Sequence, residues 1–377
     1  MNQQEKRYRA ALNSTGVFLD PRVERKCVDG VWGMYANSSI KQGEVFASFD
    51  KRRSLKGFSD IAYDGAEPEG VRWVLLAARQ LQGGPESEEF GHVSMFEDLT
   101  DLESVCVYFC PDNELKQLYQ MNPILHLTVC RFKALVDGVT ESVMQLDKGL
   151  DRDVVLKAVL NWQSRAWDSY GFLPVMDLFN HCHARGGDLL ELSDRTLLGH
   201  IAQVDYAAGD QVFISYAPKD MYRHAICYHY FDLGGQHLID YALRVHRNVD
   251  SPQAEQVAQA IARQYPVQVV SVGQKKQMQI VERNLFFTEE GPNQNLLEFF
   301  AKTSFSTLNE LQTGRCSKQS IAENMLQVLQ ALRSANQVNS VNEKELPARI
   351  QRFHPLLKKE LAMLDANEAW VRRSFGL

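Results

Sequence analysis

Apolar and polar positions along the chain predict short strands in two separate regions. Residues 31–36 and 45–49 are apolar segments on either side of a glycine-containing turn, as in two successive strands. Residues 189–192 and 197–204 flank a polar triplet and predict a hairpin, and residues 211–216 predict one further half-buried strand. The chain therefore contains two β-rich regions separated by a long stretch of different pattern.

Between and after these regions, apolar residues recur at helical spacing. The interval from residue 68 to residue 150 has this period, and residues 151–168 form an amphipathic pattern with Asp151 at the position of a helix N-cap. After Gly234 and Gly235 the composition changes to glutamine-rich amphipathic segments. These patterns indicate a helical insertion in the first part of the chain and a mostly helical second part.

The length of 377 residues is more than one ordinary core accommodates, so we expect two domains. We place the boundary at the glycine pair. This gives a first domain over residues 1–235, with a helical insertion over about 60–160, and a second domain over residues 236–377. Hydrophobic residues make up 45% of the chain and charged residues 23%, so both domains can bury a core.

Charge and cysteine content argue against several classes of protein. The net charge is −6, whereas bulk nucleic-acid binding needs a basic surface, so we expect no direct nucleic-acid partner. Seven scattered cysteines without a Cys-x-x-Cys pair argue against a disulfide framework and a structural zinc site. Residues 1–12 are polar, and no apolar run is long enough to span a bilayer, so we expect neither a signal peptide nor a membrane partner. We therefore expect a cytoplasmic protein, with access to the nucleus left open, and a monomer.

Metal-capable side chains are concentrated just after an apolar segment at residues 172–176. His181, Cys182, His183 and Asp188 could together hold a metal ion, but neither a helical His-x-x-x-His nor a paired thiolate accompanies them. The alternative is that Asn180 and His181 are buried at the junction of a strand and a loop, with every polar atom hydrogen-bonded. We expect no metal.

Two further features accompany the Asn-His pair. Gly33 lies between Trp32 and Met34 in a predicted strand, where glycine lets a ligand or another segment approach the backbone closely. Tyr216 ends a predicted strand, and Tyr228 follows it across a short helical segment. Two tyrosines in this arrangement indicate an aromatic cage, although a single tyrosine at a strand end is more often a packing residue.

Taken in order, four blocks of the chain resemble the SET-domain protein methyltransferases, specifically the subfamily of the Rubisco large-subunit lysine methyltransferase. The blocks retain the order and spacing of that subfamily and span about two thirds of the chain. They are residues 30–36 with 40–44, residues 164–165, residues 173–181, and residues 208–216 with Tyr228.

The resemblance implies an α+β fold. Its first part is a β-rich SET domain of small sheets with a pseudoknot and an inserted helical region, and its second part is a mostly α-helical C-terminal domain that binds the substrate. It also implies S-adenosyl-L-methionine as the cofactor and a protein as the partner. The zinc-binding cysteine-rich tail of other SET branches is not expected, since Cys316 is the one cysteine after residue 230.

The same resemblance implies roles for individual residues. Tyr216 is the catalytic tyrosine and also contacts the cofactor, while the substrate channel is lined by Tyr228, His229 and Tyr230. The cofactor is held by backbone groups of Gly30, Trp32 and Gly33, by the Asn180 side chain and the His181 backbone, and by the nearby Arg165.

The expected activity is transfer of a methyl group to an exposed lysine of a protein. Histidine is an alternative acceptor, because relatives of this subfamily methylate it. A second alternative is a catalytically inactive SET-like protein-binding module, suggested by Val31, Ala217 and His229, which replace glycines of the family's motifs. A metal-dependent hydrolase built on the histidines explains the fewest features.

Overall fold

A computed structural model describes most of the chain. Two compact units are present, one built from Met1–Phe109, Val129–Pro218 and Ile226–Gly235, and the other from Cys110–Thr128, Lys219–Ala225 and Gln236–Leu377. The predicted domain boundary falls on Gly234 and Gly235, which lie outside the described residues, and it stays a prediction. The described residues are 3–28, 31–53, 69–87, 90–167, 171–193, 195–216, 220–229, 238–240, 247–248, 256, 259, 261, 267–272, 275–280, 284–305, 310 and 313–377.

The helices of the described residues are concentrated in the predicted insertion and near the C-terminus. None of them is both long and apolar enough to cross a membrane. They are α1 (Gln3–Thr15), α2 (Glu69–Gly83), α3 (Leu99–Glu103), α4 (Asp112–Met121), α5 (Pro123–Leu146), α6 (Arg152–Arg165), α7 (Met221–Tyr228), α8 (Gln294–Thr303), α9 (Lys318–Ala335), α10 (Ala348–Gln351) and α11 (Phe353–Phe375).

The strands are short and belong to several small sheets. They are β1 (Phe18–Leu19), β2 (Val23–Val28), β3 (Val31–Ala36), β4 (Val45–Asp50), β5 (Ala166–Trp167), β6 (Gly171–Phe172), β7 (Asn180–His181), β8 (Leu189–Glu191), β9 (Leu197–Ile201), β10 (Phe213–Ile214), β11 (Leu238–Asp240), β12 (Arg247–Asn248), β13 (Val267–Val272), β14 (Lys275–Ile280), β15 (Phe286–Thr288) and β16 (Gly291–Pro292).

In the first unit, the predicted strands form two antiparallel sheets. The sheet of order β1-β4-β9-β8 contains the predicted hairpin, in which β8 pairs with β9. The predicted strand β3 pairs along its whole length with β2, which the sequence pattern did not predict. The prediction of a strand over residues 211–216 was too long, since only Phe213 and Ile214 form β10. Its parallel partner β7 also has two residues. After β10, the N–H of Ser215 donates to the carbonyl oxygen of Gly187 and the N–H of Tyr216 donates to Nδ1 of His181, so these residues do not extend the strand.

The helix predicted over residues 151–168 is present as α6, but it ends at Arg165, and Ala166 and Trp167 form β5. The Asp151 carboxylate caps it by accepting hydrogen bonds from the N–H groups of Asp153 and Val154, at 2.8 and 3.3 Å. Its buried face, which includes Val155 and Val159, packs against α2. The polar residue Asn161 is also fully buried on this helix, which the apolar pattern did not indicate.

The second unit gathers three separate chain segments around the buried carboxylate of Glu360 in α11. One oxygen of this carboxylate accepts hydrogen bonds from Tyr222 Oη at 2.5 Å, Asn336 Nδ2 at 2.9 Å and Asn122 Nδ2 at 3.2 Å. A buried carboxylate needs such donors, because burial without partners costs several kcal/mol. The network explains why residues 110–128 and 219–225 belong to this unit.

Strands of the second unit were not predicted, although its helical character was. Strands β11 to β16 lie between residues 238 and 292, before the helices α8 to α11. In β14, lysine and glutamine occupy four of the six positions, so the apolar signal that marks a strand is weak. The other strands of this group, apart from β13, have two or three residues, which is too short for a recognisable period.

The core of the first unit contains a histidine, His200 of β9, that is fully buried. Its ring stacks on Phe46 with centroids 6.0 Å apart and lies 5.4 Å from the ring of Trp167. Burial lowers the pKa of His200 from its ordinary 6.5 to about 3, because this apolar site disfavours the charged imidazolium. The folded protein therefore keeps the imidazole neutral over a pH range in which the unfolded chain protonates it.

We predict that His200 makes the protein less stable as the pH falls below 6.5. Between pH 6.5 and about 3, only the unfolded state binds the proton, so the free energy of unfolding falls by about 1.4 kcal/mol per pH unit, or roughly 2 kcal/mol by pH 5. His200→Phe should lose this part of the pH dependence, as measured by urea denaturation at pH 5 and pH 7. His183→Gln, at an exposed position, is the control and should retain it. Identical pH dependence in wild type and His200→Phe would contradict the assignment.

Candidate active site

The first unit contains a cavity of about 650 Å³ that brings together residues from distant parts of the chain. Its wall is formed by β3, the end of α6, the segment around β7, the segment around β10 and the end of α7. Of the residues predicted for the site, Trp32, Gly33, Arg165, Asn180, Tyr216, Tyr228 and His229 line it. Gly30 and Tyr230 lie outside the described residues.

The position of the Asn-His pair is set by the parallel pairing of β7 with β10. Asn180 lies opposite Phe213, and His181 lies opposite Ile214. The Asn180 side-chain amide donates a hydrogen bond of 2.9 Å to the carbonyl oxygen of Trp32, which links β7 to β3. Asn180 therefore holds the backbone of the glycine-containing strand in place at the cavity wall.

His181 fixes Tyr216 through one hydrogen bond and one ring contact. The backbone N–H of Tyr216 donates to Nδ1 of His181 at 3.1 Å, and the two rings stack with centroids 5.2 Å apart. Because Nδ1 accepts this bond, the proton of the neutral imidazole is on Nε2. His181, which is 7% exposed, is therefore a packing and hydrogen-bonding residue beneath the tyrosine.

The two tyrosines of the predicted cage are in direct contact. The ring centroids of Tyr216 and Tyr228 are 4.4 Å apart with an angle of 35° between the planes. The Tyr216 hydroxyl donates a hydrogen bond of 2.8 Å to the carbonyl oxygen of Phe179. Because the hydroxyl proton is used in this bond, the lone pairs of the tyrosine oxygen point away from the Phe179 carbonyl.

His229 has a left-handed backbone conformation with φ of 58° directly after α7. Glycine adopts this conformation without steric cost, whereas a residue with a Cβ has a cost of about 1 kcal/mol or more. The side chain of His229 lines the cavity beside Tyr228. The strained backbone conformation therefore occurs at a residue that lines the candidate site.

Arg165 supplies a buried positive charge at the cavity wall. Its guanidinium is 3.0 Å from Asp177, 3.5 Å from Glu97 and within hydrogen-bonding distance of Asn161 at 3.2 Å. Burial acts to lower the pKa of Arg165, but the negative charges of Asp177 and Glu97 outweigh it and raise the pKa. The arginine is therefore protonated and held rigidly by three partners.

Several residues of the cavity wall were missed by the sequence analysis, among them Asp177, Gln211 and Glu97. Asp177 and Gln211 lie within the blocks 173–181 and 208–216 that carry the family resemblance, so a signal for them was present. Glu97 has no such signal, because it comes from a loop of the insertion that only the tertiary structure brings beside Arg165.

Gly33 lies against two side-chain amides. A Cβ atom at this position would overlap Nε2 of Gln211 and would lie 3.1 Å from Nδ2 of Asn180. The close approach predicted for this glycine is therefore present, and the approaching groups are amides of the chain itself.

The residues of the metal hypothesis are not arranged around a common point. His183 and Asp188 are exposed, whereas His181 is buried against Tyr216. Within the part of the chain that the structure describes, no group of three or more His, Cys, Asp or Glu side chains is placed to hold a metal ion.

No family model and no curated protein sequence matches the chain. Solved structures do. Rubisco LSMT bound to sinefungin and monomethyllysine matches with a TM-score of 0.65 and 13% identity, over 99% of this chain and 92% of that one. The chain has the SET-domain fold of Rubisco LSMT.

Two further structures of LSMT agree with this. The SET domain of LSMT bound to lysine and AdoHcy matches with a TM-score of 0.65 and 14% identity, over 99% of this chain and 91% of that one. Rubisco LSMT bound to AdoMet matches with a TM-score of 0.64 and 13% identity, over 100% and 92% of the two chains. The predicted α+β class, a SET-domain fold with a helical C-terminal region, is confirmed.

We predict that the ion pair between Arg165 and Asp177 is needed for stability of the SET-domain fold. The two side chains are 12% and 8% exposed, so Asp177→Asn would leave a buried guanidinium with Glu97 as its remaining carboxylate. Loss of one partner from a buried pair costs about 3 kcal/mol. Asp205→Asn breaks an exposed ion pair with Lys41 and should have a much smaller effect, because solvent screens exposed charges. Chemical denaturation measures both variants, and equal effects would contradict the prediction.

Proposed function

We propose that the chain is an S-adenosylmethionine-dependent protein N-methyltransferase that methylates a lysine side chain. One observation carries the proposal: a single cavity has the strand glycine Gly33 and Asn180 on one wall and the paired rings of Tyr216 and Tyr228 on another. The fold supports it, since the three LSMT structures are bound to sinefungin with monomethyllysine, to AdoHcy with lysine, and to AdoMet.

The residues of the cavity fit an amino-acid nucleoside. A volume of about 650 Å³ is within the range of small-molecule sites, about 300–1,000 Å³. The backbone of Trp32 and Gly33 and the Asn180 side chain would hold the amino-acid end, with Arg165 nearby, whereas His181, which was predicted to share this task, is not among the residues that line the cavity. The wall also carries a buried oxygen of Asp177, Oδ1, that has no hydrogen-bond partner among the described residues, which suits a ligand with a donor group. When bound, S-adenosylmethionine supplies a methyl group on a sulfonium sulfur.

The chain's own task is to present a neutral amine in line with that methyl group. Lysine is charged near neutral pH, because its side-chain pKa is about 10.4. Contact with the rings of Tyr216 and Tyr228 removes water from the amine, which disfavours the charged form and lowers the pKa of the bound lysine. The cavity therefore favours the reactive state without a strong general base.

Tyr216 would then orient the amine. Its ring is held between His181 and Tyr228, and its hydroxyl proton points to the Phe179 carbonyl. The hydroxyl oxygen can accept a hydrogen bond from an amine N–H. This bond would align the nitrogen lone pair with the direction of transfer, and alignment of this kind contributes substantially to rate.

We predict that Tyr216→Phe will reduce methyl transfer about 100-fold or more, while the affinity for AdoHcy changes less than about threefold. The hydroxyl is needed to orient the amine, whereas the cofactor contacts come mainly from the β3 and β7 walls. Transfer is measured as radiolabel incorporated into protein of a cell extract, and affinity by calorimetry.

Tyr108→Phe is the matched control, because it also removes a tyrosine hydroxyl with a hydrogen bond, to Asp137 at 2.8 Å, but lies outside the cavity. Its transfer rate should equal that of the wild type. Full activity of Tyr216→Phe would remove Tyr216 from the proposed role. A wild type that binds AdoHcy but transfers no methyl group would favour a protein-binding module instead.

We predict that the pH dependence of kcat/KM will identify the acceptor. This parameter reports on the free substrate, so with lysine it should rise about tenfold per unit between pH 7 and pH 9. With histidine, whose pKa is about 6.5, it should be level above about pH 7.5. The measurement uses a peptide that spans the labelled residue, located by mass spectrometry of the extract. A level profile together with a methylated histidine would replace the lysine proposal.

A further inference from the structure

Gln211 presents a buried hydrogen-bond donor to the cavity. Its side chain lines the cavity, and its Nε2 is shielded from solvent. Among the residues that the structure describes, none accepts a hydrogen bond from this nitrogen. A buried amide without a partner costs about 1–3 kcal/mol, so its presence at a cavity wall needs an explanation.

The backbone holds Gln211 in this position. It forms an isolated antiparallel bridge with Tyr35, and the adjacent N–H of Val212 donates to the carbonyl oxygen of Met34 at 2.8 Å. On the other side, Ala36 N–H donates to the carbonyl oxygen of Asp210 at 2.9 Å. The residue is thus fastened to β3 on both sides, and its side chain cannot leave the wall by a small backbone movement.

The Gln211 amide lies against the same glycine as the Asn180 amide. Both nitrogens approach the position that a Cβ of Gly33 would occupy. The Asn180 nitrogen is committed to the carbonyl oxygen of Trp32, at 2.9 Å. This bond uses one hydrogen of the Asn180 amide, whereas neither hydrogen of the Gln211 amide has an acceptor among the described residues, so Gln211 has the greater capacity to donate to a ligand.

The charged groups of the wall restrict what that ligand atom is. Arg7 is paired with Asp98 at 3.2 Å, and Arg165 is paired with Asp177 and Glu97. These two guanidiniums are already paired with carboxylates of the chain, whereas a third on the wall, that of Arg25, lies 3.9 Å from the ring centroid of Trp32. An anionic group of a ligand can therefore use further donors beside these cations. A neutral amide can donate a hydrogen bond to an anionic group of the ligand without adding charge to the wall.

We propose that Gln211 donates a hydrogen bond to the α-carboxylate of the cofactor. The inference rests on the proposed function, in which Gly33 and Asn180 hold the amino-acid end. At that end the ammonium group only donates, so the carboxylate is the acceptor for the amide of Gln211. Gln211 thereby becomes a residue that distinguishes amino-acid nucleosides from simple nucleosides.

Calorimetry with two thioether nucleosides tests this contact without any transfer reaction. AdoHcy and 5′-methylthioadenosine share the adenosine and the sulfur, but only AdoHcy has the amino-acid end. Gln211→Met retains the length of the side chain and removes the donor. It should weaken AdoHcy binding about 10- to 100-fold, the usual range for a hydrogen bond to a charged group, and change 5′-methylthioadenosine binding less than about twofold.

Gln42→Met, at an exposed turn position, is the matched control and should bind both nucleosides as the wild type does. The ligand-free melting temperature of Gln211→Met should not fall, because the amide nitrogen it removes has no acceptor in the described structure. Unchanged AdoHcy binding, or an equal loss for both nucleosides, would overturn the contact while leaving the proposed function in place. A wild type that binds neither nucleoside would overturn both.

Discussion

The parallel pairing of β7 with β10, two residues long, positions the Asn-His pair and Tyr216 relative to each other. It sets Asn180 beside Phe213 and His181 beside Ile214, and it brings the N–H of Tyr216 to the ring of His181. Parallel strands cannot be joined by a tight turn. The chain between them therefore makes the hairpin of β8 and β9, which completes the sheet with β4 before the chain returns. Strands β8 and β9 of the larger sheet thus form part of the connection between the parallel strands β7 and β10.

The wall of the cavity combines a polar side and an apolar side that have different energetic requirements. On the polar side, Arg165 and Asp177 are buried as an ion pair, and the more exposed carboxylate of Glu97 lies 3.5 Å from the same guanidinium. On the apolar side, Phe179 packs against Phe46, and the carbonyl of the same Phe179 accepts the hydroxyl proton of Tyr216. The core and the site share residues, so the orientation of the tyrosine depends on the packing beneath it.

Parts of the fold that depend on local patterns could be predicted from sequence. The N-cap of Asp151, the helix α6 and the hairpin of β8 and β9 need only neighbouring residues, and all were confirmed. The strand β14 was not predicted, because lysine and glutamine fill four of its six positions and weaken the apolar signal, whereas the valine-rich strand β13 carried a strand signal that was overlooked. The length of β10 was wrong for a different reason, since a partner that is distant in sequence, β7, decides where the ladder stops.

By itself the sequence determined the order of the blocks, the strand glycine Gly33, and the residue types of the Asn-His pair and the two tyrosines. The tertiary structure decided what these residues contact. It committed the Asn180 amide to Trp32, set the tyrosine rings 4.4 Å apart, and left Gln211 facing the cavity. The reason is physical: propensity and period act over a few residues, whereas hydrogen bonds and ring contacts depend on which distant segments the buried core brings together.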